Sequence, residues 1–253
     1  MNSLPVLYQD EHLIAVNKPA GLLVHRTVID RHETAFALQI VRDQAGRWVY
    51  PFHRLDKATS GVLLFAFDPD TARRMTELFT QDRVSKIYLA VVRGFTEPSG
   101  RIDYALKERT DRFMPEVKAK PVQEAITEYC RQALIELPEP AGRYATARFS
   151  LIQAMPQTGR NHQVRRHMKH IFHPIIGDTT YGDGRQNEFF RTRFLCRRLL
   201  LHARTVTFAH PVTGASLRID APPDDAFQRI LDVPGWVPDD DRTEPGCTAV
   251  RPA

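Results

Sequence analysis

Two apolar runs limit what this chain can become. Residues 62–67 (Val-Leu-Leu-Phe-Ala-Phe) and residues 87–92 (Ile-Tyr-Leu-Ala-Val-Val) hold no charged side chain and do not alternate polar with apolar. Runs of this length read as strands covered on both faces. Apolar residues at helical spacing (Phe36, Ala37, Ile40 and Val41) predict a helix over 34–43, and another is expected over 70–81. Residues 4–16 read as two short strands with a polar break at Gln9-Asp10-Glu11. Strand-like segments return at 125–137, 144–154 and 199–208, and the turn Pro211-Val212-Thr213-Gly214 joins the last of these to 216–219 as a hairpin. Strands and helices follow no regular β-α-β alternation, which argues for an α+β architecture on a largely antiparallel mixed sheet. One catalytic-size domain is expected over residues 1–232. Residues 233–253, rich in Pro, Gly and Asp, read as a loose tail.

Charge separates these two parts. The chain has 253 residues and a formal net charge of +5. Residues 221–253 hold seven acids and three bases, a net of −4, which leaves +9 on residues 1–220. A body this basic favours a polyanionic partner, because Lys and Arg replace the counterions condensed on phosphate. The three cysteines, Cys130, Cys196 and Cys247, are widely spaced and form no Cys-x-x-Cys pair, which suggests neither a zinc site nor a disulfide framework. No signal-peptide pattern opens the chain and no apolar run approaches a membrane span. The expectation is a cytoplasmic protein with no membrane partner.

Polar and reactive residue types crowd two places. The first is Pro51-Phe52-His53-Arg54-Leu55-Asp56-Lys57-Ala58-Thr59-Ser60-Gly61, immediately before the run at 62–67. Asp56 thus sits in a loop leading into an interior strand, a common address for a catalytic residue. Taken alone, it serves equally as a carboxylate capping a turn with Thr59 or Ser60. Arg54, two residues earlier, faces the same side as Asp56 if the stretch is extended. The second place is Thr158-Gly159-Arg160-Asn161-His162-Gln163-Val164-Arg165-Arg166-His167-Met168, which opens a helix. Val164, Met168 and Ile171 share its buried face, Arg165 borders it, and Arg166 lies toward solvent. His162, His167, His170 and His173, with Cys196 and His202 beyond, raise the question of a metal. Arg165, Arg166 and Lys169 interleave the histidines and disfavour a cation, and no metal is assigned. Arg191, Arg193, Arg197, Arg198 and Arg204 alternate with Phe189, Phe190 and Phe194, so one side of that segment packs while arginines face phosphate. Residues 107–123, with Lys107, Arg109, Arg112, Lys118 and Lys120, read as a charged arm.

The stretch His53-Arg54-Leu55-Asp56-Lys57-Ala58-Thr59-Ser60-Gly61 resembles, without a break, the signature of the RluA family of pseudouridine synthases. Asn17-Lys18-Pro19-Ala20-Gly21, Lys86-Ile87-Tyr88, the helix-opening stretch at 158–165, and His173-Pro174-Ile175-Ile176-Gly177-Asp178 resemble its other elements in order. Softer matches lie at 8–21, Val24-His25-Arg26, Arg42-Asp43-Gln44, Gly142-Arg143-Tyr144 and 182–187. These resemble a bacterial branch of the family that modifies tRNA at uridine 65 in the T stem.

The resemblance implies an enzyme that isomerises uridine in a structured RNA, from a cleft in an antiparallel eight-stranded sheet. The reaction breaks the N1–C1′ bond, turns the uracil and makes a C5–C1′ bond. No atom is oxidised or transferred elsewhere, so neither metal nor other cofactor is required. One ionised carboxylate is, as nucleophile or as base. The resemblance gives that role to Asp56 and makes Arg165 its cationic partner. Tyr88 takes the family's aromatic position, which offsets part of the cost of unstacking the target base. Leu201 lines the pocket beneath the uracil. His53, Arg160, His162, Arg166, Lys169, Arg197 and Arg198 are the candidate RNA contacts. A monomer is expected, since no coiled coil or separate apolar stripe is visible. Three other readings compete: a ribosomal-RNA synthase of the same family, a non-catalytic RNA-binding module on the same scaffold, and a metal-dependent nuclease.

Overall fold

The computed structural model describes residues 3–25, 34–107, 121–142 and 144–239. Its contacts divide the chain into two compact units, residues 1–89 with 198–230, and residues 90–197 with 231–253. Both mix helices with largely antiparallel strands, the α+β class that the sequence predicts.

The first unit opens with β1 (Val6–Gln9), β2 (Leu13–Lys18), α1 (Ala37–Ala45), β3 (Tyr50–Pro51), β4 (Ser60–Ala66) and α2 (Pro69–Thr80). β5 (Ser85–Arg93) then runs on into the second unit. There follow β6 (Ser99–Asp103), β7 (Leu106–Lys107), β8 (Val122–Gln123), β9 (Ile126–Leu137), β10 (Ala147–Pro156), α3 (Gln163–His170) and α4 (Gly184–Arg193). The chain re-enters the first unit with β11 (Leu201–Ala209), β12 (Ser216–Asp220) and α5 (Asp225–Leu231), and closes with β13 (Val237–Pro238).

β4 explains the apolar run. All seven of its residues are buried. Successive side chains of a strand point to opposite faces. Leu63 and Phe65 accordingly enter one core with Ile14 and Val16 of β2 and Ala37 and Val41 of α1. Val62, Leu64 and Ala66 enter a second core with Leu13, Ala15, Met75 of α2 and Ile219 of β12. A strand sandwiched this way has no solvent face, hence no polar alternation. α1 ends where Gly46 turns left-handed at φ 65°. α2 begins where the Asp68 carboxylate accepts the Thr71 N–H and Pro69 fills the first turn.

β4 pairs antiparallel with β2 and β3 and parallel with β11, where His202 opposes Ser60 and Ala203 opposes Gly61. In the second unit the antiparallel pair β9–β10 carries a register irregularity between Leu151 and Ile152, and β6 and β13 both add to β9. Phe190 of α4 is buried and packs edge-on against Phe149 of β10.

Two expectations are corrected. Residues 237–239, expected as part of a loose tail, are tied down: Val237 and Pro238 pair with Leu134 and Ala133, and Asp239 binds the Arg131 guanidinium at 2.9 Å. A short Pro- and Gly-rich strand lacks the apolar periodicity that would announce it. Residues 240–253, like residues 108–120 of the arm with Arg109, Arg112, Lys118 and Lys120, lie outside the described residues. Nor do the cysteines all stay out of disulfides: Cys130 is disulfide-bonded, while Cys196 is buried. Linear spacing does not report spatial proximity, which is what a disulfide needs.

Gly61 is the position where backbone geometry dictates the residue. It holds φ 114°, and a Cβ there would lie 2.2 Å from the Ala203 carbonyl oxygen. Gly61→Ala must separate β4 from β11 or abandon the backbone angle. Chemical denaturation should show a loss of about 4 kcal/mol or more; a loss under about 1 kcal/mol would mean the two strands are free to part.

Candidate active site

Residues 52–59 join β3 to β4 and carry the polar signature. Leu55 turns inward and is buried in the core with Leu63 and Phe65, while Arg54 is exposed and Asp56 half-buried. The outward pair is the consequence of that one apolar anchor. The Asp56 carbonyl accepts the Thr59 N–H at 3.0 Å, closing a turn over Lys57 and Ala58.

The turn is held from the N-terminal segment. Lys18 is fully buried at the end of β2. Its Nζ donates to the carbonyls of Pro19 (2.9 Å), Leu22 (2.8 Å) and Lys57 (3.2 Å). The Gly21 N–H donates to the same Lys57 carbonyl at 2.8 Å. Burial pulls Lys18 down to about 7, the Asp56 charge opposes that pull and the Arg198 charge adds to it. Asp56 is therefore within electrostatic reach of a buried amine. The sequence analysis singled out residues 17–21 only through the family resemblance and gave Lys18 no role; the available signal was a lysine ending an otherwise apolar strand.

Ser60 and Arg198 fix the other side of the turn. The Ser60 hydroxyl meets His202 Nδ1 at 2.8 Å, and His202 Nε2 meets the Ala221 carbonyl at 3.0 Å. A carbonyl only accepts, so Nε2 carries the proton and Nδ1 accepts from Ser60. Burial pushes His202 down to about 4, which keeps it neutral. Arg198 donates to Ser60 Oγ at 2.8 Å and to the Leu201 carbonyl at 3.2 Å, and pairs with Asp224. Expected as an RNA contact, Arg198 is a largely buried internal brace. His53 is likewise spent inside. Its Nε2 accepts the Leu64 N–H at 2.8 Å and its ring stacks on Phe79 at 4.8 Å. Burial, helped by the Lys86 charge, pushes it down to about 3.

Tyr88 packs partly buried against the core that holds Leu55. Burial and the Asp56 charge raise its hydroxyl well above the usual range, so it stays a neutral phenol. Leu201 is buried at the start of β11. The first unit thus gathers Arg54, Asp56 and Tyr88, with Lys18 beside them.

In the second unit Arg165 lies buried in the first turn of α3. It binds Asp178 through two parallel bonds, Nε to Oδ2 at 2.7 Å and Nη2 to Oδ1 at 2.9 Å. Asp178 Oδ1 also accepts the N–H groups of Thr180 (2.8 Å) and Tyr181 (2.9 Å). Burial alone would raise Asp178, but the Arg165 bond and charge with these amides outweigh it and hold the carboxyl below its usual value. The guanidinium sits 5.2 Å from the Tyr181 ring centre. Gln163 ties the helix start to Thr158, Arg160 N–H and the Ile126 carbonyl. His162 adopts a left-handed φ of 53° and meets Tyr181 Oη at 3.1 Å. Arg160 donates to the Glu124 carbonyl, Arg166 is half-exposed, and Lys169 and Arg197 are exposed.

The histidines have structural employment. His167 is buried between Thr127 Oγ1 and the Tyr104 carbonyl, His170 stacks on Tyr104, and His173 meets the Arg93 carbonyl. Among the described residues no three His, Cys, Asp or Glu side chains gather as a metal-holding group.

The first unit thus holds a half-buried aspartate in a braced turn with a neutral tyrosine beside it, and the second a basic helix start with a buried Arg165–Asp178 pair. Residues 12–170 match the RNA pseudouridylate synthase family, and the chain belongs to that family. It is 50% identical over 235 residues to the tRNA pseudouridine synthase C of Haemophilus influenzae, covering 92% of this chain and 98% of that protein. It is 47% identical over 235 residues to the protein of that name in Vibrio cholerae, covering 92% and 96%. Among solved structures, Human RNA Pseudouridylate Synthase Domain Containing 4 superposes with a TM-score of 0.67 at 25% identity, over 90% of this chain and 91% of that one. Human RNA Pseudouridylate Synthase Domain Containing 1 shares the fold, with a TM-score of 0.68 at 24% identity over 94% and 89%.

Two stability measurements probe this framework. Asp178→Asn strands a buried guanidinium and should cost about 3–5 kcal/mol at neutral pH. Asp178 is depressed, so its contribution is present above the ordinary carboxylate pKa of 3.8 and is lost as pH falls through the lower folded value. The gap between wild type and variant should therefore close in acid. Lys18 behaves with the opposite sense. Its folded value, about 7, lies below the ordinary 10.5, so the unfolded chain binds more protons between them. The penalty for burying the ammonium is complete below pH 7 and relieved as pH rises. Wild type should gain stability relative to Lys18→Met from pH 7 to 10, read from denaturant midpoints; a constant difference would contradict this.

Proposed function

We propose that this protein isomerises uridine to pseudouridine in tRNA, at uridine 65 of the T stem, with Asp56 as the catalytic carboxylate and no metal or other cofactor. The observation that carries the substrate is the near-half identity, over 92% of the chain, to proteins named tRNA pseudouridine synthase C. The chemistry is supported by the position of Asp56, half-buried in a turn whose backbone is fixed by Lys18, Gly21 and Thr59.

The target uridine leaves its stack, at a cost of a few kcal/mol. The Asp56 carboxylate then attacks as nucleophile or removes a proton as base; both routes need it ionised. The N1–C1′ bond breaks, the uracil turns, C5 bonds to C1′, and the proton lost from C5 is balanced by one gained at N1. Tyr88, held neutral, offers its ring to the base, a contact worth about 1–3 kcal/mol. Leu201 lines the pocket under the uracil, and family membership implies that Arg165 serves the same reaction. Arg54, Arg160, His162, Arg166, Lys169 and Arg197 are the proposed RNA contacts. The enzyme works as a cytoplasmic monomer.

The test uses unmodified tRNA and 23S ribosomal RNA transcripts, purified protein with neither metal nor cofactor, and chemical-adduct primer extension to map pseudouridine. A single new site at tRNA position 65, absent with Asp56→Asn, is expected. A site only in ribosomal RNA would overturn the substrate and keep the chemistry. Modification by Asp56→Asn at the wild-type rate would overturn the role of Asp56.

A further inference from the structure

The second unit contains a cavity of about 390 Å³ that none of the residues in the proposed reaction lines. Arg93, Tyr144, Arg148, Phe172, His173 and Gln186 form its walls. A lobe of about 190 Å³ shares Arg93, Tyr144 and Gln186 and adds Arg185. The larger volume falls within the ~300–1,000 Å³ range of small-ligand pockets.

Three observations point to an occupant. First, Gln186 is 5% exposed, and its Oε1 is buried without a hydrogen-bond partner among the described residues, although its Nε2 reaches the Ala141 carbonyl. An unpartnered buried acceptor is costly, and this one borders both lobes. Second, Phe172 is 78% exposed and holds a left-handed φ of 65°, rare for a bulky residue. The strain is locked in: the Phe172 N–H donates to the Lys169 carbonyl at 3.0 Å, and its own carbonyl accepts from Arg93 Nη2 at 3.1 Å. Tyr144, half-exposed, is a second aromatic wall. Third, Arg148, held through Nε by Glu136 and set 5.4 Å from the Phe95 ring centre, brings a cation to the cavity wall.

We propose that this cavity is a second nucleotide subsite, taking one unpaired nucleotide of the substrate RNA other than the isomerised uridine. The inference rests on the reading of the protein as an RNA-modifying enzyme. Aromatic walls receive a base face, Gln186 Oε1 accepts from a base N–H or a 2′-hydroxyl, and the Arg148 fork meets phosphate. The basic body of the chain supplies the complementary charge.

The experiment pairs Tyr144→Ala/Phe172→Ala with a panel of tRNA transcripts, each carrying one abasic nucleotide. Both changes are at exposed positions. The double variant should bind intact tRNA roughly tenfold more weakly, with an unchanged single-turnover rate at saturating RNA. One abasic position should weaken wild-type binding by a similar factor and leave the variant unaffected. Equal affinity of variant and wild type for intact tRNA would overturn the subsite. So would abasic losses identical in both proteins at every position. If self-association changes while RNA affinity does not, the cavity belongs to a second copy of the chain and the subsite is again overturned. Isomerisation by wild type in the same reactions separates these failures from a failure of the proposed function.

Discussion

A buried ammonium carries the loop that presents Asp56. Lys18 has no solvent exposure, and an isolated charge in that position would be prohibitive. Three carbonyl acceptors match its three N–H groups, and the third, on Lys57, lies 39 residues away in sequence. The Lys57 carbonyl receives Gly21 as well, so both its lone pairs are used. The Lys57–Ala58 peptide, one residue beyond Asp56, cannot rotate without breaking both bonds. The N-terminal turn is thus part of the machinery that aims the carboxylate, and Asp56 in turn supplies the negative charge that makes the buried amine tolerable.

The far end of the same turn is fixed by a hydroxyl, a neutral imidazole and a close backbone approach, with one guanidinium added. Ser60 meets a neutral His202, and Gly61 lets the Ala203 backbone approach closer than any side chain permits. Arg198 adds donors to Ser60 Oγ and the Leu201 carbonyl, so the start of β11 and the end of the loop move together. The consequence is rigidity: the turn that holds Asp56 is fixed at both ends.

The elements most legible in the sequence were those with a single environment. β4 announces itself because a strand covered on both faces leaves no polar position, and α1 because its apolar residues recur at helical spacing. The loop that holds Asp56 stood out because an unbroken signature runs through it. Lys18, Arg198 and His53 were not read correctly or at all, since charge type in a sequence says nothing about which carbonyl, hydroxyl or amide a side chain will meet. α4 escaped for a related reason: Phe189, Phe190 and Phe194 pack on one another among arginines, so no clean apolar face appears. Strand β13 escaped because two residues cannot display a period.

That distinction alters how the basic character of the chain bears on RNA. A count of cations treats every Lys and Arg as a phosphate contact, yet Lys18 and Arg198 are spent on the loop, Arg165 is bonded to Asp178 and Arg131 to Asp239. Each holds a backbone or carboxylate in place and releases no counterion when RNA arrives. Only exposed groups such as Lys169 and Arg197 are available for that exchange. Because the salt dependence of binding scales with phosphates neutralised, at roughly 0.7–0.9 per contact, it is governed by this smaller exposed set and not by the net charge.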